Sequence, residues 1–135
     1  MKYILFILIV SLFILYVVTN NKKIHTIHGK VARTEQDLKK GLMYRKHKLK
    51  EKEGMLFVMH QNYDNSVWMK NTYISLDVIF LDNSMNVVGY KTNTKPLSTK
   101  TISINDPSSY ILEMNANTVK RLDIQIGDTI HFKEH

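Results

Sequence analysis

Gly54-Met55-Leu56-Phe57-Val58-Met59-His60 is a continuous apolar run bounded by polar loops, and it reads as a buried strand. Downstream, Ser66 to Lys70 (SVWMK), Asp77 to Asp82 (DVIFLD) and Val87 to Asn93 (VVGYKTN) have the same strand-like content. Asp82-Asn83-Ser84 joins two of these runs, which predicts a hairpin. Thr101–Ile104 and Tyr110–Met114 add two strands around the turn Asn105-Asp106-Pro107. Asn115 is placed to cap a short helix through Lys120 and Arg121, and Gly127-Asp128 turns the chain into a last strand, Thr129 to Phe132. Upstream, a first strand includes Ile24 and Ile27 and ends at Val31 to Arg33. Thr34 then has N-cap chemistry, with Glu35 and Asp37 in the first turn of a helix reaching about Met43. The pattern predicts an α+β domain: a mostly antiparallel or mixed sheet curled toward a small barrel, with two short helices.

The first nineteen residues stand apart. Tyr3 to Val18 is apolar on every face and broken only by Ser11, with Lys2 before it and Asn20, Asn21, Lys22 and Lys23 after. At about 1.5 Å per residue it covers about 24 Å, short of the roughly 30 Å of bilayer hydrocarbon unless its flanks are drawn in. Small residues of the kind that mark signal cleavage are missing, since the first alanine is Ala32. The expected organisation is a retained transmembrane signal-anchor over residues 1–19, a linker and strand start over 20–27, and a globular domain over 28–135. The expected location is the membrane by a single N-terminal pass with an exported domain, although the lysines flanking the segment slightly favour a cytosolic one.

With no cysteine, disulfides, thiolate zinc sites and cysteine nucleophiles are excluded. Nineteen basic against twelve acidic residues give a net charge of +7. Most of the excess lies in Lys39, Lys40, Arg45, Lys46, Lys48, Lys50 and Lys52, opposed locally by Glu51 and Glu53. Such a patch suits a solvated face, and near anionic lipid it would gain about 1 kcal/mol per residue. No Gly-rich phosphate loop, HExxH or EF-hand pattern is present, so neither nucleotide chemistry nor specific nucleic-acid binding is expected.

Several blocks in order resemble a known family: Gly41-Leu42-Met43-Tyr44-Arg45, Gly54-Met55-Leu56-Phe57, Trp68-Met69-Lys70-Asn71-Thr72, Leu76-Asp77, and Leu112-Glu113 followed by Asn115-Ala116. Their spacing is similar to that of the Domain of Unknown Function 192 family, across roughly residues 28 to 132. The resemblance implies a fold and, since members are often exported or lipid-anchored, a compartment; it implies no activity. Ser75 replaces a usual proline, which is expected to loosen the turn beside Trp68, and Asn117 replaces a common glycine, which Asn tolerates at positive φ.

Alternation along Ser66–Lys70 sends Val67 and Met69 to one face and Trp68 and Lys70 to the other, with Asn71 where the strand ends. An indole beside an amine and an amide suits a small polar or anionic ligand. Arg45 could cross the domain to Asp77 or Glu113, and those carboxylates are the natural partners of Lys70 as well. Arg45, Trp68, Lys70, Asn71, Asp77 and Glu113 are therefore the candidate ligand-binding residues of a membrane-tethered, non-catalytic binding or accessory domain for such a ligand or a protein partner. The alternative is a hydrolase of a cell-envelope or carbohydrate substrate using Asp77 and Glu113 as a carboxylate pair. The methionines and histidines read as core filler and strand ends, so neither a metal nor another cofactor is expected.

Overall fold

Every residue of the strand Leu76–Leu81 is buried, so both of its faces are covered, one by the curl of its own sheet and the other by loops. The computed structural model describes residues 2–19, 22–63 and 65–135, without the side chains of 15–19 and 60–63. Along the chain run α1 (Lys2–Thr19), β1 (Ile24–Ala32), α2 (Glu35–Lys40), β2 (Glu53–Tyr63), β3 (Leu76–Leu81), β4 (Val87–Lys91), β5 (Ser108–Asn115), α3 (Thr118–Arg121) and β6 (Thr129–Glu134). The sheet has six strands in the order β4-β3-β5-β2-β1-β6. β1 is parallel to both β2 and β6, and the other pairings are antiparallel. This is a mixed, sheet-rich α+β fold.

The expected barrel is not closed. The edges meet at one isolated bridge, Asn86 to Thr129. The contact is made by the β3–β4 hairpin loop and the turn before β6: Val87 N donates to Asp128 O at 2.8 Å and Ile130 N to Met85 O at 2.9 Å. Because β6 meets a loop there and not strand β4, no ladder can extend from it. The curl still encloses one core, in which Ile27, Leu56, Ile79, Val87, Leu112 and Ile130 come from all six strands. On the outer face, Ala32, Phe57, Val78, Phe80 and Ile111 pack beneath Leu38 of α2 and the long connections.

Two expected strands are irregular. Ser66–Lys70 and Thr101–Ile104 pair only through the Val67–Ile102 bridge. Asn71, at φ 52°, reverses the chain and accepts from Tyr44 N through its carbonyl at 2.8 Å, which ends any extension there. The alternation survives without the strand: Met69 is fully buried, while Trp68 and Lys70 are exposed. The turn at Ser75 is tied, because its Oγ donates to Thr94 O at 2.7 Å. Asn117 does take the positive φ, 69°.

α1 is an 18-residue helix whose side chains from Tyr3 to Ile14 are all exposed. Among the described residues no helix is long and apolar enough to cross a membrane. The eighteen residues of α1 span about 27 Å, against roughly 30 Å of bilayer hydrocarbon. The sheet begins at Ile24, within the stretch 20–27 read as linker and strand start; Asn20 and Asn21 lie outside the described residues.

Candidate functional site

β5 is a central strand, and Glu113 lies between Met55 of β2 and Val78 of β3 on the outer face of the sheet. The residue is buried, at 5% exposure, yet among the described residues its carboxyl has neither a hydrogen-bonding nor an ion-pairing partner. No fully enclosed side-chain oxygen among the described residues lacks a partner, so the unpartnered carboxyl opens onto space. That space is a cavity of about 360 Å³, floored by Glu113 and Phe57. Its walls are Leu38 to Met43 on one side, and Ser66, Val67, Trp68, Thr72 and Thr101 on the other. Desolvation pushes the Glu113 carboxyl up to about 8.

Local sequence explains each wall. Thr34 caps α2 by accepting from Asp37 N at 3.1 Å, and the helix stops at Gly41, whose φ of 48° lets the chain turn over the cavity. A Cβ at Gly41 would meet the Phe57 ring at 3.1 Å, so the close approach depends on glycine. Leu42, Leu49, Met69, Ile74 and Leu76 form a small cluster that holds the loops on either side of the mouth together. Asn115 clamps Leu49 by accepting from its N at 2.9 Å and donating to its O at 2.7 Å. It is therefore a loop clamp, not the helix cap the sequence suggests.

Of the six candidates, only Trp68 and Glu113 line this cavity. Trp68 is 45% exposed at the rim, and the Lys70 ammonium stands 5.1 Å from its ring centroid. Lys70 thus pairs with the indole and with neither carboxylate. Arg45 does not cross the domain: it is exposed and its Nε donates to His47 O at 3.0 Å. Asn71 Nδ2 donates to the Tyr44 hydroxyl at 3.0 Å on the adjoining surface. Sequence reasoning missed Lys39, Lys40, Ser66, Thr72 and Thr101, which come from the end of α2 and two separate connections and share no local pattern.

Asp77 lies on the opposite face of the sheet. It is paired with Met114, one residue out of phase with Glu113, so the sheet separates the two carboxyls. Asp77 is spent structurally: Oδ1 accepts from Asn93 N at 2.9 Å and Asn117 N at 3.2 Å, and Oδ2 from Val119 N at 2.8 Å. It caps α3 from across the fold, the task expected of Asn115. A two-carboxylate mechanism with Asp77 and Glu113 has no geometry here.

An open mixed sheet with a cavity beneath its loops, floored by an unspent acid, defines an α+β domain with a candidate site on the outer face of the sheet. The chain belongs to the DUF192 family, described as Uncharacterized ACR, which it matches over residues 16–132. Two solved structures are similar to it. One, a protein of unknown function from Novosphingobium aromaticivorans, is 34% identical, with a TM-score of 0.71 and 75% of this chain and 71% of that one covered. The other, from Sinorhizobium meliloti and assigned provisionally as a transcription regulator, is 36% identical, with a TM-score of 0.72 and coverage of 75% and 78%. No curated protein matches the chain.

Proposed function

We propose that this chain is a membrane-tethered, non-catalytic binding domain that holds a small polar ligand between the Trp68 rim and the Glu113 floor. The observation that carries the reading is the carboxyl of Glu113, buried, unpartnered among the described residues and facing a cavity. A buried polar group without a partner costs about 1–3 kcal/mol, a cost that a ligand oxygen would remove. With a pKa of about 8, Glu113 is mostly protonated at neutral pH and is a hydrogen-bond donor. Lys39 and Lys40 at the wall disfavour a cation. The ligand that fits is neutral or anionic, with an oxygen acceptor for Glu113 and a flat or apolar face for the indole.

The tether is α1. Its described apolar side chains, Tyr3 to Ile14, are exposed all round, and a deficit of about 3 Å against the bilayer costs only fractions of a kcal/mol per Å in local thinning. A ligand-detected NMR screen of an oxygen-bearing fragment library against the full chain in nanodiscs tests the site. Fragments that bind the wild type and are lost in Glu113→Gln and Trp68→Ala support it. Binding indifferent to both substitutions contradicts it.

A further inference from the structure

Basic residues gather in three stretches around the cavity mouth, and the acids of the same connections, Glu51, Asp64 and Asp106, fall at their outer ends. Residues 38–50 hold six Lys and Arg, residues 65–76 hold Lys70, and residues 92–105 hold Lys95 and Lys100, without one Asp or Glu among them. These nine cations exceed the net charge of the whole chain, +7, so the rest of the molecule is slightly negative. The charge is concentrated on one region.

That region also exposes large apolar side chains: Tyr44 at 57%, Trp68 at 45%, Tyr73 at 48% and Leu97 at 55%. They are contiguous. The Tyr44 and Tyr73 rings stand edge to face at 6.3 Å, Asn71 joins Tyr44, Lys70 stacks on Trp68, and Leu97 N donates to Thr72 O at 3.0 Å. Tryptophan, tyrosine and leucine side by side within a field of lysines is the composition of a surface that sits at a headgroup layer: amphipathic rings enter the interface and ammonium groups face lipid phosphate.

Topology places this surface toward the tether. β1 runs parallel to β2, and β2 and β3 both run antiparallel to β5, so β1, β2 and β3 start at one end of the sheet. β1 is entered there from the direction of α1, β2 from the basic loop 41–52, and β3 from the segment carrying Trp68 and Tyr73.

We infer that the face formed by Tyr44, Trp68, Tyr73 and Leu97 with its surrounding lysines docks on an anionic bilayer surface. Trp68 belongs to both features, so docking sets the cavity mouth against the headgroups. The docking surface is independent of any cavity ligand.

Trp68 is the only tryptophan in the chain and reports docking directly. The full chain is reconstituted into vesicles of phosphatidylcholine alone and of phosphatidylcholine with phosphatidylglycerol, each with and without brominated acyl chains. Docking predicts a blue-shifted, bromine-quenched Trp68 emission with phosphatidylglycerol, reversed by high salt and by the triple variant K46E/K48E/K50E. Glu113→Gln, which removes the cavity acid, keeps the shift. Emission that is the same in both lipids, or quenching that survives both salt and charge reversal, overturns the inference. So does a short DNA duplex that shifts Trp68 at lower phosphate concentration than the anionic vesicles, which would make this a nucleic-acid face.

Discussion

Asp77 and Glu113 are both buried carboxyls on neighbouring strands, and their surroundings give them opposite roles. Asp77 is fully hydrogen-bonded to three backbone amides. In Asp77→Asn an amide NH₂ replaces an acceptor at one of those positions, and the variant should lose about 2–3 kcal/mol in denaturant unfolding. Glu113 has burial without compensation. Its folded pKa, about 8, lies above the ordinary glutamate value of 4.5. The folded state therefore keeps its proton longer, and the stability it contributes is full below about pH 4.5 and lost as pH rises toward 8. Urea unfolding from pH 5 to pH 8 should show this loss, on the order of 4 kcal/mol at most, in the wild type and not in Glu113→Gln. Equal pH slopes for the two proteins would contradict it. Asp128 has the reverse sign: burial pushes it up, but hydrogen bonds from His25, Gln125 N and Lys23 N outweigh that and hold it below the usual carboxylate range. Its contribution is present near neutral pH and is lost only in acid.

Elements were legible in the sequence wherever local pattern and tertiary role agreed. β2, β3, β5 and β6 are apolar runs between turn residues, and Thr34 announces α2 by its own cap. The irregular segments failed for a different reason. Trp68 and Met69 alternate as a strand would, but Asn71 takes a left-handed turn because Tyr44, distant in sequence, bonds to its backbone. Glu113 was legible through the Leu112-Glu113 block and as a carboxylate partner for Arg45 and Lys70. That Asp77 is out of phase with Glu113 depends on sheet register, which a sequence does not display. Gly29 shows how tightly register is fixed: a Cβ there would stand 1.8 Å from Gly54 O across the β1–β2 pairing. Gly29→Ala should cost about 4 kcal/mol or more, read as a fall in Tm with loss of the near-UV signal. Asn115→Ala should free the Leu49 loop at about 1–2 kcal/mol, seen as faster amide exchange at Leu49.

At the scale of the molecule, the sheet separates two functions of burial. Inside its curl lies an apolar core drawn from every strand; outside, the loops leave a cavity with an unspent acid at its floor. Around the mouth of that cavity, charge and exposed aromatic surface face the end from which α1 enters. On the proposed reading, the chemistry of this site depends on the one proton of Glu113. The most direct test is a ¹³C NMR pH titration of the Glu113 side-chain carboxyl in the full chain, assigned by its absence in Glu113→Gln. A midpoint near 8 that moves when a cavity fragment binds is the predicted result. A midpoint near 4.5, indifferent to every fragment, would contradict a protonated acid held ready for a ligand.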